Sequence, residues 1–126
     1  MKVQIKPADA PAAVGPYSHS IRMDNLLFIS GQLPIDPATG AICEGSIEDS
    51  TRQSLNNLKA IVEEAGATMD DVAKTTVFLA DVADGPAANK VYAEFFSEPY
   101  PARSAFQVAA LPLGARIEIE AIVVLK

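Results

Sequence analysis

One cysteine and one histidine are all that this chain holds of the soft metal ligands and the commonest general base. Cys43 alone can close no intramolecular disulfide and cannot build a cysteine-based zinc site. With His19 as the one imidazole, the ligands of a histidine metal centre are missing as well. No HExxH, CxxC, GxSxG, P-loop or GxGxxG occurs anywhere in the sequence. No apolar run approaches the ~18–20 residues needed to span a bilayer. The opening residues Met1 to Pro7 lack the apolar stretch of a signal peptide, so the cytoplasm is the expected location. Positive charge is also scarce: 10 Lys and Arg stand against 16 Asp and Glu, a net charge of −6. That balance argues against bulk binding to nucleic acid or to an anionic membrane, which needs clustered cations. A small anion remains possible, since one well-placed arginine can hold it.

What is present describes an ordinary globular chain. With 126 residues, 49% apolar and 21% charged, it fits one domain, residues 1–126. A chain of this size buries roughly two-thirds of its unfolded surface, enough for a normal core. Internal repeats, low-complexity segments and linkers are absent.

Pro7, Pro11, Gly15 and Pro16 make the N-terminal segment extended and irregular. A hairpin follows, Ser18 to Met23 and Leu26 to Gln32, turning at Asp24-Asn25. Pro34 and Asp36-Pro37-Ala38-Thr39-Gly40 form a loop. Ser46 reads as the N-cap of a helix with Ile47, Leu55, Leu58, Ile61, Val62 and Ala65 on one stripe, closed by Gly66. The β-rich run Val72 to Ala80 is a strand. Pro86 suits the first turn of a second helix, which turns Val91 and Phe95, with Tyr92 and Phe96, inward and stops before Pro99. Two strands finish the chain, giving β-β-α-β-α-β-β with an extra short strand at Val3 to Ile5. Two helices cover one face of one such sheet, so the second face needs water or a partner. The last strand favours a partner. Its Ile117, Ile119, Ala121, Val123 and Leu125 share one side, while Glu118 and Glu120 share the other with Ile122 and Val124.

On the residues alone, several roles stay open. Arg103 is either a strand-edge charge in a surface ion pair or a guanidinium fork for a carboxylate. Glu118 and Glu120 lie two apart on one strand, ~7 Å from each other and aimed in parallel, which does not suit a glycosidase pair. Tyr17 follows Gly15-Pro16 and Ser30 precedes Gly31. They read as a core aromatic and a turn residue, or as the lining of a site whose backbone N–H at Gly31 is free. His19 reads as a plain strand or surface residue, and Cys43 as a bystander.

Five blocks together carry a resemblance: Gly15-Pro16-Tyr17-Ser18, Ser30-Gly31-Gln32-Leu33-Pro34, Lys74-Thr75-Thr76-Val77-Phe78-Leu79, Tyr100-Pro101-Ala102-Arg103-Ser104 and Ile117-Glu118-Ile119-Glu120-Ala121. In this order, over essentially the whole chain, they resemble the Rid (reactive intermediate deaminase) family, in its RidA branch. The resemblance implies an α+β, chorismate-mutase-like fold and a homotrimer with clefts between subunits. It also implies hydrolysis of short 2-imino acids, 2-iminobutanoate and 2-iminopropanoate, to 2-keto acids and ammonia, with no cofactor and no metal. These imines are released by pyridoxal-phosphate-dependent dehydratases. By the same likeness Arg103 grips the substrate carboxylate and Glu118, rather than Glu120, positions the attacking water. Tyr17, Ser30, Gly31 and Asn89 line the pocket. Where the family often has cysteine, this chain has Ala105, which excludes a thiol nucleophile and leaves only a backbone carbonyl to act. A keto-acid-binding trimer without turnover is the alternative, and a ribonuclease or translation inhibitor a lesser one.

Overall fold

A computed structural model describes residues 1–8, 11–13 and 15–126. The irregular segment expected over 7–16 therefore lies partly outside the described residues. Eight elements make up the fold: β1 (Val3–Gln4), β2 (Ser20–Met23), β3 (Leu26–Gln32), α1 (Ile47–Glu64), β4 (Val72–Leu79), α2 (Gly85–Phe95), β5 (Ala102–Gln107) and β6 (Ile117–Val124). The six strands form one sheet in the order β1-β2-β3-β6-β4-β5. β6, last in sequence, lies inside the sheet between β3 and β4. The hairpin turns at Asp24-Asn25 as the sequence predicts, with Asp24 in the left-handed region at φ 53°. Strand β2 starts two residues later than expected, because the Ser18 carbonyl takes the Ser30 hydroxyl instead of a ladder bond.

Helix α1 forms where the stripe predicts, and both ends are satisfied. Ser46 accepts from the Asp49 N–H, while Asp49 accepts from the Ser46 N–H, a reciprocal capping box. At the far end Gly66, at φ 82°, turns the chain left-handed. Its N–H donates to the Glu63 carbonyl and that of Ala67 to the Val62 carbonyl, which closes a Schellman motif. In the middle of the helix, buried Asn57 donates to the carbonyls of Leu33 and Ile35 at 3.2 and 2.8 Å. The segment leaving β3 is thereby anchored to α1.

Packing divides the sheet into unlike faces. Leu27, Ile29, Val77, Leu79, Ile117, Ile119, Ala121 and Val123 join Leu55, Leu58, Ile61, Val62, Val91 and Tyr92 in one buried core under the helices. On the other face nothing covers Phe28 (41% exposed), Phe106 (45%), Ile122 (37%) and Val124 (41%). Phe28 pairs with Ile122 across β3 and β6, and Phe78 meets Phe106 edge-on at 5.4 Å. These form two apolar patches, Phe28 with Ile122 and Val124 at one end and Phe78 with Phe106 at the other, divided by Glu120 and Thr76. Exposed patches of this kind suit contact with a partner. Among the described residues, no helix is long and apolar enough to cross a membrane.

Strands β4 and β5 are parallel, and α2 is the crossover that parallel pairing requires. This lays α2 over the edge strand that carries Arg103. Of the core residues, Leu58 is fully buried between α1 and the sheet. Leu58→Ala is expected to lower stability by about 2–5 kcal/mol, read as a lower denaturation midpoint with an unchanged slope.

Candidate functional site

Strand alternation decides what can meet what. Arg103 pairs with Thr75 and Ala105 with Val77, both on the helix-covered face. Glu118 pairs with Phe78 and Glu120 with Thr76, on the open face. The expected site residues therefore form two groups, on opposite sides of one sheet.

The first group surrounds Arg103. Its Nη1 donates to Asn89 Oδ1 at 2.8 Å, and its Cζ lies 4.8 Å from the centre of the Tyr92 ring. Asn89 and Tyr92 are three apart on α2, so they project from one helix face toward the strand. Tyr92 is held in turn by a 2.7 Å hydrogen bond with the Thr75 hydroxyl and by the Phe96 ring, 4.5 Å away. Burial raises the Tyr92 phenol above its ordinary value, against smaller opposing pulls from the Thr75 bond and the Arg103 charge. It is thus a neutral ring face beneath a cation. Among the described residues no carboxylate pairs with Arg103, although Arg52 and Arg116 each have one. Asn89, Tyr92, Ala93, Tyr100, Pro101 and Arg103 line an open cleft of about 270 Å³. Tyr92 was legible in the sequence only as an inward residue. Its spacing from Asn89 was the available signal for more.

The second group surrounds Glu118. Its carboxylate lies against Gly31: a Cβ at that position would fall 2.6 Å from Glu118 Cδ. Only glycine admits this approach. Ser30 donates its hydroxyl to the Ser18 carbonyl at 2.7 Å and its N–H to the His19 carbonyl at 2.8 Å. Tyr17 is exposed rather than a core aromatic, and its ring meets His19 edge-on at 6.1 Å. His19 is not at the surface as expected but 6% exposed, with Nδ1 3.3 Å from Gln32 Nε2. Burial raises the Glu118 carboxyl above its ordinary value, and the nearby charge of Glu120 adds to the shift. Among the described residues, no group of three or more His, Cys, Asp or Glu could hold a metal ion.

A carboxyl raised on folding binds more protons in the folded state, so its ionisation opposes the fold as pH climbs through the carboxylate range. Glu118→Gln is therefore expected to melt higher than the parent at neutral pH. The difference should vanish below about pH 3, where both states are protonated, and thermal melts at the two pH values check this.

Known proteins resemble this chain over nearly its whole length. Residues 7–125 match the family model described as endoribonuclease L-PSP. A RutC family protein of Pyrococcus horikoshii is 53% identical, covering 97% of each chain. The goat (Capra hircus) 2-iminobutanoate/2-iminopropanoate deaminase is 48% identical over 95% of this chain and 88% of its own. The crystal structure of RidA from the Antarctic bacterium Psychrobacter sp. PAMC 21119 superposes with a TM-score of 0.94 at 46% identity, covering 98% of this chain and 99% of the other. The six-stranded mixed sheet with its two helices is the architecture that the sequence resemblance implied. The chain belongs to the Rid family, matched here through its endoribonuclease L-PSP model.

Proposed function

We propose that this protein hydrolyses short 2-imino acids to 2-keto acids and ammonia, at sites completed between copies of the chain in a homotrimer. The observation that carries the reading is Arg103: a guanidinium with no acid partner among the described residues, braced by Asn89 and Tyr92 at the rim of a cleft. An arginine so held has N–H groups left over for a planar carboxylate, which it binds through two parallel charge-assisted hydrogen bonds. The activity in the goat relative's name is one on substrates of that kind.

A protonated imine is already electrophilic, so the protein has little covalent work to do. Arg103 fixes the carboxylate and with it the adjacent C=N carbon. Glu118 takes a proton from a water that attacks this carbon, forming the C–O bond and turning the imine nitrogen into an amine. Glu118 returns that proton to the carbinolamine nitrogen, the C–N bond breaks with ammonia leaving, and the hydroxyl passes its proton back to Glu118 as it becomes the ketone. Ammonia then carries this proton away as ammonium. A raised carboxyl suits the base in this sequence, because proton transfer is most effective when the catalytic group titrates near the working pH. Ser30, the Gly31 N–H and Tyr17 surround the water and the amine. Ala105, with its methyl on the Arg103 face, takes part only through its backbone.

Since Arg103 and Glu118 sit on opposite faces, one copy cannot bring both to one small molecule. The exposed edge strand β5 and the uncovered apolar face supply the two halves of an interface that brings them together. The family model's description favours a ribonuclease as a second reading. Against it stand the acidic balance and the burial of the one histidine.

The test generates 2-iminobutanoate in situ from threonine and a dehydratase, with semicarbazide as competing trap. The parent protein is expected to suppress semicarbazone formation, while Arg103→Ala and Glu118→Gln each fall by at least about 100-fold. Unfolding the two variants together and refolding them as mixed trimers is expected to restore about one quarter of parental activity, because a site drawing on two chains receives both intact groups one time in four. Full activity in Arg103→Ala would remove that residue from the reaction. No recovery on mixing would place both groups in one chain's site. Gly31→Ala, which pushes the Glu118 carboxylate aside, is expected to lower turnover by about 100-fold, measured in the same assay.

A further inference from the structure

His19 has no part in the reaction above, yet it is tied to two residues of the Glu118 half-site, Ser30 and Tyr17. Between the pairs Ile29–Ala121 and Gln32–Ile119, β3 advances three residues while β6 advances two. The extra residue is a β-bulge at Ser30-Gly31, which takes those groups out of the regular ladder. Something else has to hold them. Gln32 Nε2 donates to the Ser30 carbonyl at 3.0 Å and also contacts His19 Nδ1 at 3.3 Å. An amide nitrogen that donates to a carbonyl is fixed as the donor end, so Nδ1 accepts and the proton of the neutral ring sits on Nε2. The His19 carbonyl receives the Ser30 N–H at 2.8 Å, and the imidazole meets the Tyr17 ring. Both polar side chains are buried, His19 at 6% and Gln32 at 2% exposure. His19 Nε2 is buried with no hydrogen-bond partner among the described residues. A pair serving packing alone would be better made of apolar side chains, since a buried unsatisfied donor opposes folding.

We infer that His19 and Gln32 are positioning residues: their buried pair locks the Ser30-Gly31 bulge and orients Tyr17, and so fixes the surface on which Glu118 and its water act. The kinetic arm of the test rests on the deaminase reading, and the exchange arm does not. Three full-length variants separate geometry from volume. His19→Leu keeps bulk and loses the acceptor, Gln32→Met keeps bulk and loses both donors, and His19→Gln keeps an acceptor for Gln32. With 2-iminobutanoate, His19→Leu and Gln32→Met are expected to lose about 10–100-fold in kcat. Their KM should move by less than about threefold, because the carboxylate is held by Arg103 on the other group. His19→Gln should bring kcat back to within about threefold of the parent. Amide hydrogen exchange at Ser30 should be slow in the parent and in His19→Gln, and at least about tenfold faster in His19→Leu. Parental kcat in both apolar variants, His19→Gln as slow as His19→Leu, or unchanged Ser30 exchange would each overturn the inference. If the parent hydrolyses no imine, the deaminase reading fails and Ser30 exchange alone decides. If His19→Leu does not fold, Gln32→Met and His19→Gln carry the same comparison.

Discussion

Successive side chains of a β-strand point to opposite faces, and in this sheet that alternation separates the two ionisable groups of the proposed reaction. Thr75 places Arg103 above the core, under α2, while Phe78 places Glu118 on the uncovered side. Shifting β6 by one residue would bring both to the same face, but would also turn Ile117, Ile119 and Val123 out of the core. Hydrophobic burial therefore enforces the division. Several fully buried side chains on β6 hold it in place, and no local rearrangement of a loop could undo it.

The two groups also differ in electrostatic character. Arg103 is braced by neutral partners: an amide oxygen that takes one N–H, and a phenol ring kept un-ionised by burial. Its charge is oriented without being neutralised. Glu118 has the opposite treatment. It is partly desolvated and lies near another carboxylate, so its charged form is disfavoured. These are the characters that the proposed reaction asks of an anion-binding group and of a proton acceptor. On a single chain they face different surroundings and exert little direct pull on each other.

Much of this was legible in the sequence, for physical reasons that differ by element. The α1 stripe and the odd-numbered run from Ile117 to Leu125 follow from helical and strand periods that depend on local spacing alone, and both elements lie where those periods predict. The uncovered second face followed from counting helices against strands. What periodicity could not reveal was pairing. That Arg103 and Glu118 face apart depends on β4 meeting β5 in parallel and β6 antiparallel, a long-range fact absent from either segment. The burial of His19 was missed for the same reason: its partner Gln32 lies thirteen residues away, across a bulge. Of the two readings left open for Tyr17, its exposure excludes the core aromatic, which local sequence could not decide because it depends on the neighbouring surface. Among the site residues, the family likeness supplied Asn89 and Ala105, which composition and spacing had not singled out.

The uncovered face has a consequence for how the chain reaches its working form. Phe28, Phe106, Ile122 and Val124 are apolar in a protomer that has already folded, so completing the monomer's own core leaves an adhesive species rather than a finished one. Folding is then in competition with aggregation, most of all where newly made chains are concentrated. If the proposed trimer forms, solubility during expression depends on the encounter between copies. In the proposed trimer, substitutions on that face would alter yield and assembly together.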